Sequence, residues 1–96
     1  MKDKLFMGLL HGLHLQAMVS MGKTENPMSG KIEKNIEMAK INIELLEELV
    51  EKTNGNLSRS EKAELMRILG ELQTTYIEEV AIINWNNFKI SLIRLR

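Results

Sequence analysis

The stretch "AKINIELLEELVEKTNGNLSRSE", residues 39–61, contains the end of one predicted helix, a tight turn and the start of another. Its apolar residues continue a pattern that begins upstream and recurs at steps of three and four: Ile32, Ile36, Ala39, Ile43, Leu46 and Val50. This heptad spacing places them on one side of an α-helix. We therefore predict a helix over residues 31–53 whose outer, glutamate-rich face is solvated.

The turn after this helix is predicted over residues 54–58. Gly55 can adopt the left-handed backbone conformation that ends a helix. Ser58 and Glu61 form the Ser-x-x-Glu pattern of a capping box, which marks a helix start. A further helix is predicted over residues 59–83, and together the two helices form a long antiparallel hairpin. The inner stripe of the second one consists of Leu65, Leu69, Leu72, Tyr76, Val80 and Ile83.

The tail, residues 84–96, carries a mixed signal. Trp85, Phe88, Leu92 and Leu95 keep a helical spacing, and Trp85 is predicted to anchor packing. Three nearby asparagines are weak helix formers. Apolar residues also alternate there as they do in a strand. The spacing favours a helix, and the strand and disordered alternatives stay open.

Upstream of the hairpin, residues 3–21 predict a first helix and residues 22–30 a loop that contains Asn26-Pro27. The first helix is apolar almost all round, with a polar strip of only Gln16 and Ser20. In a lone three-helix domain each helix keeps a face towards solvent, but helix one has almost no polar face for this. A second copy of the chain is therefore expected to cover the exposed side of helix one. The predicted fold is a single all-α domain, residues 1–96, in which helix one joins the hairpin and the chains assemble as a homo-oligomeric bundle.

The composition narrows the possible functions. The chain has 96 residues and no cysteine, which excludes disulfides and zinc–thiolate sites and fits a reducing compartment such as the cytoplasm. Glutamates outnumber lysines and arginines over residues 31–79, and an acidic middle argues against nucleic-acid binding. The sequence contains neither a nucleophile motif nor a phosphate-binding glycine loop. We therefore predict a protein without enzymatic activity, catalytic residues or cofactor.

A row of methionines and histidines on helix one raises a metal hypothesis. His11 and His14 lie one turn apart and Met18 lies one turn further, so the three side chains could face a single soft metal ion. The alternative is a packing stripe, because methionine in a helix is usually a core residue. We favour packing and predict no metal ligand.

Four segments of the sequence resemble an uncharacterised bacterial family, catalogued as domain of unknown function 1844: "LQAMVSMG", "NPMSG", "AKINIELLEELVEKTNGNLSRSE" and "LGELQTTY". The resemblance covers residues 15–79, and "EKTNGNL" is its most specific part. Family members often have Asp at the position of Glu44 and Arg at that of Gln73. The C-terminal "AIINWNNFKISLIRLR" lies outside the resemblance. The resemblance implies a short helical bacterial protein with no established activity, so no functional residues are transferred.

These observations favour a non-enzymatic oligomerisation or interaction module that binds a second copy of itself through helix one, or another protein. The alternative is a membrane-peripheral protein that uses helix one or the basic tail, which contains Lys89, Arg94 and Arg96. Soft-metal binding through His11, His14 and Met18 is the weaker alternative. The predicted location is the cytoplasm, with attachment to a membrane surface as the variant.

Overall fold

The computed structural model describes residues 2–94 of the chain, which form three packed helices and no strand. The helices are α1 (Lys2–Ser20), α2 (Ile36–Lys52) and α3 (Arg59–Arg94). His11 and His14 of α1 lie beside Glu64 and Glu71 of α3 in the same order, so α1 runs parallel to α3. The intervening α2 runs antiparallel to both. The prediction of an all-α fold built from helix one and a helical hairpin is confirmed.

The start of α2 differs from the prediction, because the helix begins at Ile36 rather than at Lys31. Asn35 has an extended backbone and accepts a hydrogen bond from the Met38 amide at 3.1 Å, which makes it the N-cap. The carbonyl of Lys31 accepts a hydrogen bond from the Asn26 amide at 2.8 Å. Residues 31–35 therefore belong to the loop, where backbone contacts replace the helical turn that the apolar spacing predicts.

The turn between α2 and α3 forms as the sequence predicts. The Ser58 amide donates to Glu61 Oε1 at 2.7 Å, and the Glu61 amide donates to Ser58 Oγ at 3.2 Å. These two bonds complete the capping box. Gly55 has a φ of +84°, a left-handed conformation that favours glycine. Leu57 is half-buried between the helices, and the local sequence thereby sets the geometry of the hairpin.

The hydrophobic core lies where the three helices meet, and every helix contributes to it. Its buried residues are Leu10, Ala17 and Met21 from α1 and its C-terminal end, Ala39, Ile43 and Leu46 from α2, and Leu65, Ile68, Leu69 and Leu72 from α3. Ile68 lies outside the predicted stripe but on the same side of the helix. The core therefore occupies the first half of α3.

The second half of α3 extends past this core. The helix has 36 residues, against 19 and 17 in α1 and α2, and is therefore about 54 Å long. Residues 84–94 continue the helix as the spacing predicts, although all of them are exposed; we name them the overhang. The predicted tail residues Leu95 and Arg96 lie outside the described residues.

A buried amide inside α2 predicts a stabilising substitution. Asn42 is only 2% exposed, and its Nδ2 has no hydrogen-bond partner. Because an unsatisfied buried donor costs about 1–3 kcal/mol, we expect Asn42→Leu to raise the free energy of unfolding by about 1 kcal/mol. Urea denaturation measures this change. The matched variant Asn42→Asp buries a charge at the same position and is expected to lower the stability. If Asn42→Leu proves less stable than the wild type, the prediction is contradicted.

Candidate interaction surface

Helix α1 has one buried face and one exposed apolar face. Leu10, Ala17 and Met21, which follows the helix, point into the core. Leu5 and Leu9 lie on the other side of the helix and are exposed. The fold therefore covers part of the apolar surface of helix one within the same chain and leaves the rest uncovered.

The histidines of α1 contact carboxylates of α3. His14 Nε2 lies 3.0 Å from Glu71 Oε1, and His11 Nε2 lies 3.6 Å from Glu64 Oε1. Arg67 pairs with both glutamates, and its hydrogen bond lowers the pKa of Glu64. This polar network joins the edges of the two helices.

The same histidines were candidates for a metal site together with Met18. Met18 is half-buried against the core, whereas the Nε2 atoms of His11 and His14 face α3. Within residues 2–94, no group of three or more His, Cys, Asp or Glu side chains is placed to hold a metal ion. A soft-metal site that includes the Met18 sulfur is a different kind of site, so metal binding through His11, His14 and Met18 stays a hypothesis.

A buried carboxylate connects the loop to α3. Glu79 is 5% exposed and pairs with Lys23 and with Lys34, whose Nζ lies 2.8 Å from Glu79 Oε2. The hydrogen bonds from Lys23 and Lys34 hold the pKa of Glu79 below its usual value. The sequence analysis did not select Glu79. Its helical spacing from Leu72 could have indicated that it lies on the inner face.

The Glu79 pairs predict a loss of stability in acid. A carboxylate with a lowered pKa in the folded state stabilises the protein above its unfolded pKa, near 4.5, and this contribution is lost as pH falls through the folded pKa. Because both lysines are half-exposed, we expect Glu79→Gln to cost about 1–2 kcal/mol at neutral pH. Urea denaturation as a function of pH tests this. The wild-type advantage should vanish in strong acid, and the exposed control Glu48→Gln should show no comparable change.

A cleft lies between α1 and the start of α2 and has a volume of about 680 Å³. Gly12 and Leu15 form one wall, and Pro27 and Met38 contribute to the other. Ser20, which lines it, donates its hydroxyl to the carbonyl of Gln16 at 2.9 Å. The cleft therefore offers apolar and amide contacts, with this hydroxyl engaged by its own helix.

An extended row of exposed apolar residues lies on α3. Ile77 and Trp85 are 67% and 56% exposed, and the large residues that follow along the overhang are similarly uncovered: Phe88, Ile90, Leu92 and Ile93. The Trp85 and Phe88 rings stack at 5.7 Å between centroids, and Lys89 Nζ lies 5.6 Å from the Trp85 ring centroid. Trp85 was predicted to anchor packing, but within the described chain its ring contacts come from its own helix.

This architecture defines a small all-α protein. Among the described residues, its helices expose many large apolar side chains. The chain belongs to the family described as domain of unknown function (DUF1844), whose model matches residues 3–78. The resemblance seen in the sequence is thereby confirmed. The matched region ends before the overhang. No curated protein and no solved structure matches the chain.

Within residues 2–94, no helix combines the length and the apolar character needed to span a lipid bilayer.

Proposed function

We propose that this protein is a non-enzymatic interaction module that associates with a second copy of itself through apolar helix faces. The observation that carries the proposal is the overhang, where every residue is exposed although Trp85, Phe88 and Ile93 are large and apolar. Contiguous apolar surface of this kind marks an interaction site or causes aggregation. A partner that buries this surface uses it as an interaction site and prevents aggregation.

A second copy fits this role because one surface then satisfies two chains. A two-fold interface pairs the same patch on both subunits, and such dimers are the commonest protein assemblies. Two patches are available: the face of α1 that contains Leu5 and Leu9, and the exposed side of α3. Self-association through helix one therefore remains a proposal beside association through α3.

Light scattering coupled to size-exclusion chromatography tests the proposal. The subunit mass is 11.0 kDa, so a dimer is expected at twice that value and a higher oligomer at a larger multiple. The mass should fall towards that of the subunit on dilution, since association depends on concentration. A protein that keeps a mass of 11.0 kDa and remains soluble when concentrated would rule out self-association.

Membrane-surface binding is the second candidate, and the overhang also provides its supporting observation. Lys89 and Arg94 lie among the exposed residues Ile90 and Ile93, a combination that suits an anionic lipid surface. Flotation with vesicles separates the two functions. An interaction module stays in the soluble fraction, whereas a membrane-peripheral protein floats with anionic vesicles and not with neutral ones.

A further inference from the structure

Along the side of α3 that faces away from the core, apolar and small residues recur from one end of the helix to the other. We name these nine residues the outer stripe: Ala63, Met66, Gly70, Thr74, Ile77, Ala81, Trp85, Phe88 and Leu92. All nine are exposed. Their steps of three, four and four give an 11-residue repeat, which keeps the stripe on one side of a nearly straight helix.

We propose that the outer stripe is the interface of a homodimer in which α3 packs antiparallel against α3 of a second copy. This inference rests on the proposed function, because it names the surface through which self-association occurs. The cores stay apart in this arrangement, since each α3 carries α1 and α2 on the side opposite to its outer stripe.

The sizes of the stripe residues support the antiparallel direction. The first repeat contains Ala63 and Gly70 beside the larger Met66, whereas the last contains Trp85, Phe88 and Leu92. Antiparallel packing lays the large end of one helix on the end that has two small residues, so Trp85 and Leu92 fill space left by Gly70 and Ala63. With the two-fold axis beside Ile77, the stripe residues of the two copies meet as follows: Ala63 faces Leu92, Gly70 faces Trp85, Thr74 faces Ala81, and Met66 lies beside Phe88.

This register also covers the overhang. Residues 84–94 of one copy lie opposite residues 61–71 of the other, where α3 is held by the three-helix core. The overhang therefore rests on the part of the second subunit where α3 packs against α1 and α2. Its exposed Trp85 and Phe88 become buried without any change in the fold of either chain.

Charge along one edge of the outer stripe fits the same direction. Glu64 and Glu71 lie along this edge in the first half of α3, where Arg67 pairs with both, so the group carries a net charge of −1. Lys89 lies along that edge in the second half. Antiparallel packing brings Lys89 of one copy beside this acidic group of the other, which favours association.

Cysteine cross-linking tests the register directly, because the chain contains no cysteine of its own. Thr74→Cys and Ala81→Cys are prepared as two separate single variants at exposed positions. Mixed and oxidised, they are expected to form a disulfide-linked heterodimer. Oxidised alone, each is expected to stay unlinked, because seven residues, about 10 Å along the axis, separate the two copies of each cysteine. That exceeds the roughly 7 Å that a disulfide can span between Cα atoms.

Light scattering on the unoxidised variants distinguishes between the possible negative results. A dimer in which each single variant links to itself indicates parallel packing and overturns the inference. A dimer that gives no cross-link in the mixture places the interface elsewhere, for example on α1, and overturns the inference while the proposed function stands. A monomer overturns both. Circular dichroism of each variant confirms that the helices are intact.

Discussion

Replacing Trp85 by Glu is expected to weaken self-association at least about 100-fold. A buried interface tryptophan typically contributes about 2–4 kcal/mol, the proposed dimer buries two copies of Trp85, and each buried unpaired charge adds to the loss. Trp85 is exposed in the single chain and lies in the overhang, so the substitution leaves the core of the subunit unchanged. The dissociation constant should therefore rise while the unfolding midpoint of the dilute monomer stays the same. Sedimentation equilibrium measures the first quantity and urea denaturation the second.

Asn86→Glu is the matched control for this experiment. Asn86 is the next residue of the same helix and is also exposed, but it lies off the outer stripe. The Asn86→Glu substitution changes the net charge of the chain by the same amount as Trp85→Glu. If it weakens association as much as Trp85→Glu, the effect is general electrostatic repulsion. If neither variant changes the mass, the overhang is not the interface.

The helical hairpin could be predicted because the signals that specify it are local. A heptad repeat places Ala39, Ile43 and Leu46 on one face, and the capping box fixes where α3 begins. Both depend on residues within a few turns of each other. The structure reproduces them, apart from the start of α2.

Helix α2 begins later than predicted because of contacts that the spacing of apolar residues does not reveal. Ile32 continues the apolar spacing of α2, yet it lies in the loop and is exposed. The amide of Asn35 donates to the carbonyl of Ser20 at 2.7 Å, which holds the loop against the end of α1. Such a bond between distant segments cannot be read from the spacing of apolar residues.

The candidate interface and the Glu79 pairs share this limit. The spacing of Trp85, Phe88 and Leu92 predicts a helix but not the side of α3 on which they lie. That side depends on whether the helix continues without interruption past Asn84, since each residue adds about 100° of rotation. Glu79 likewise gains its role only when the loop brings Lys23 and Lys34 to it.

The second large effect is expected in helix one, where neighbouring leucines differ completely in burial. Leu10 is 0% exposed and packs in the core, whereas Leu9 is 50% exposed. Removing a fully buried leucine side chain costs about 2–5 kcal/mol, because apolar contacts are lost and a cavity remains. We therefore expect Leu10→Ala to lower the free energy of unfolding by about 3 kcal/mol, a large share of the stability of a domain of this size. Urea denaturation measures the loss.

Leu9→Ala is the control, with the same change in composition at the adjacent position. Its cost is expected to stay below about 1 kcal/mol in the dilute monomer, since half of the side chain already contacts water. The pair also tests how much of helix one is used for self-association. A Leu9→Ala variant with normal monomer stability but weaker dimerisation would assign the exposed face of α1 to the interface. Equal destabilisation by both variants would mean that α1 packs with a different face towards the core, because only a rotated helix buries Leu9 as deeply as Leu10.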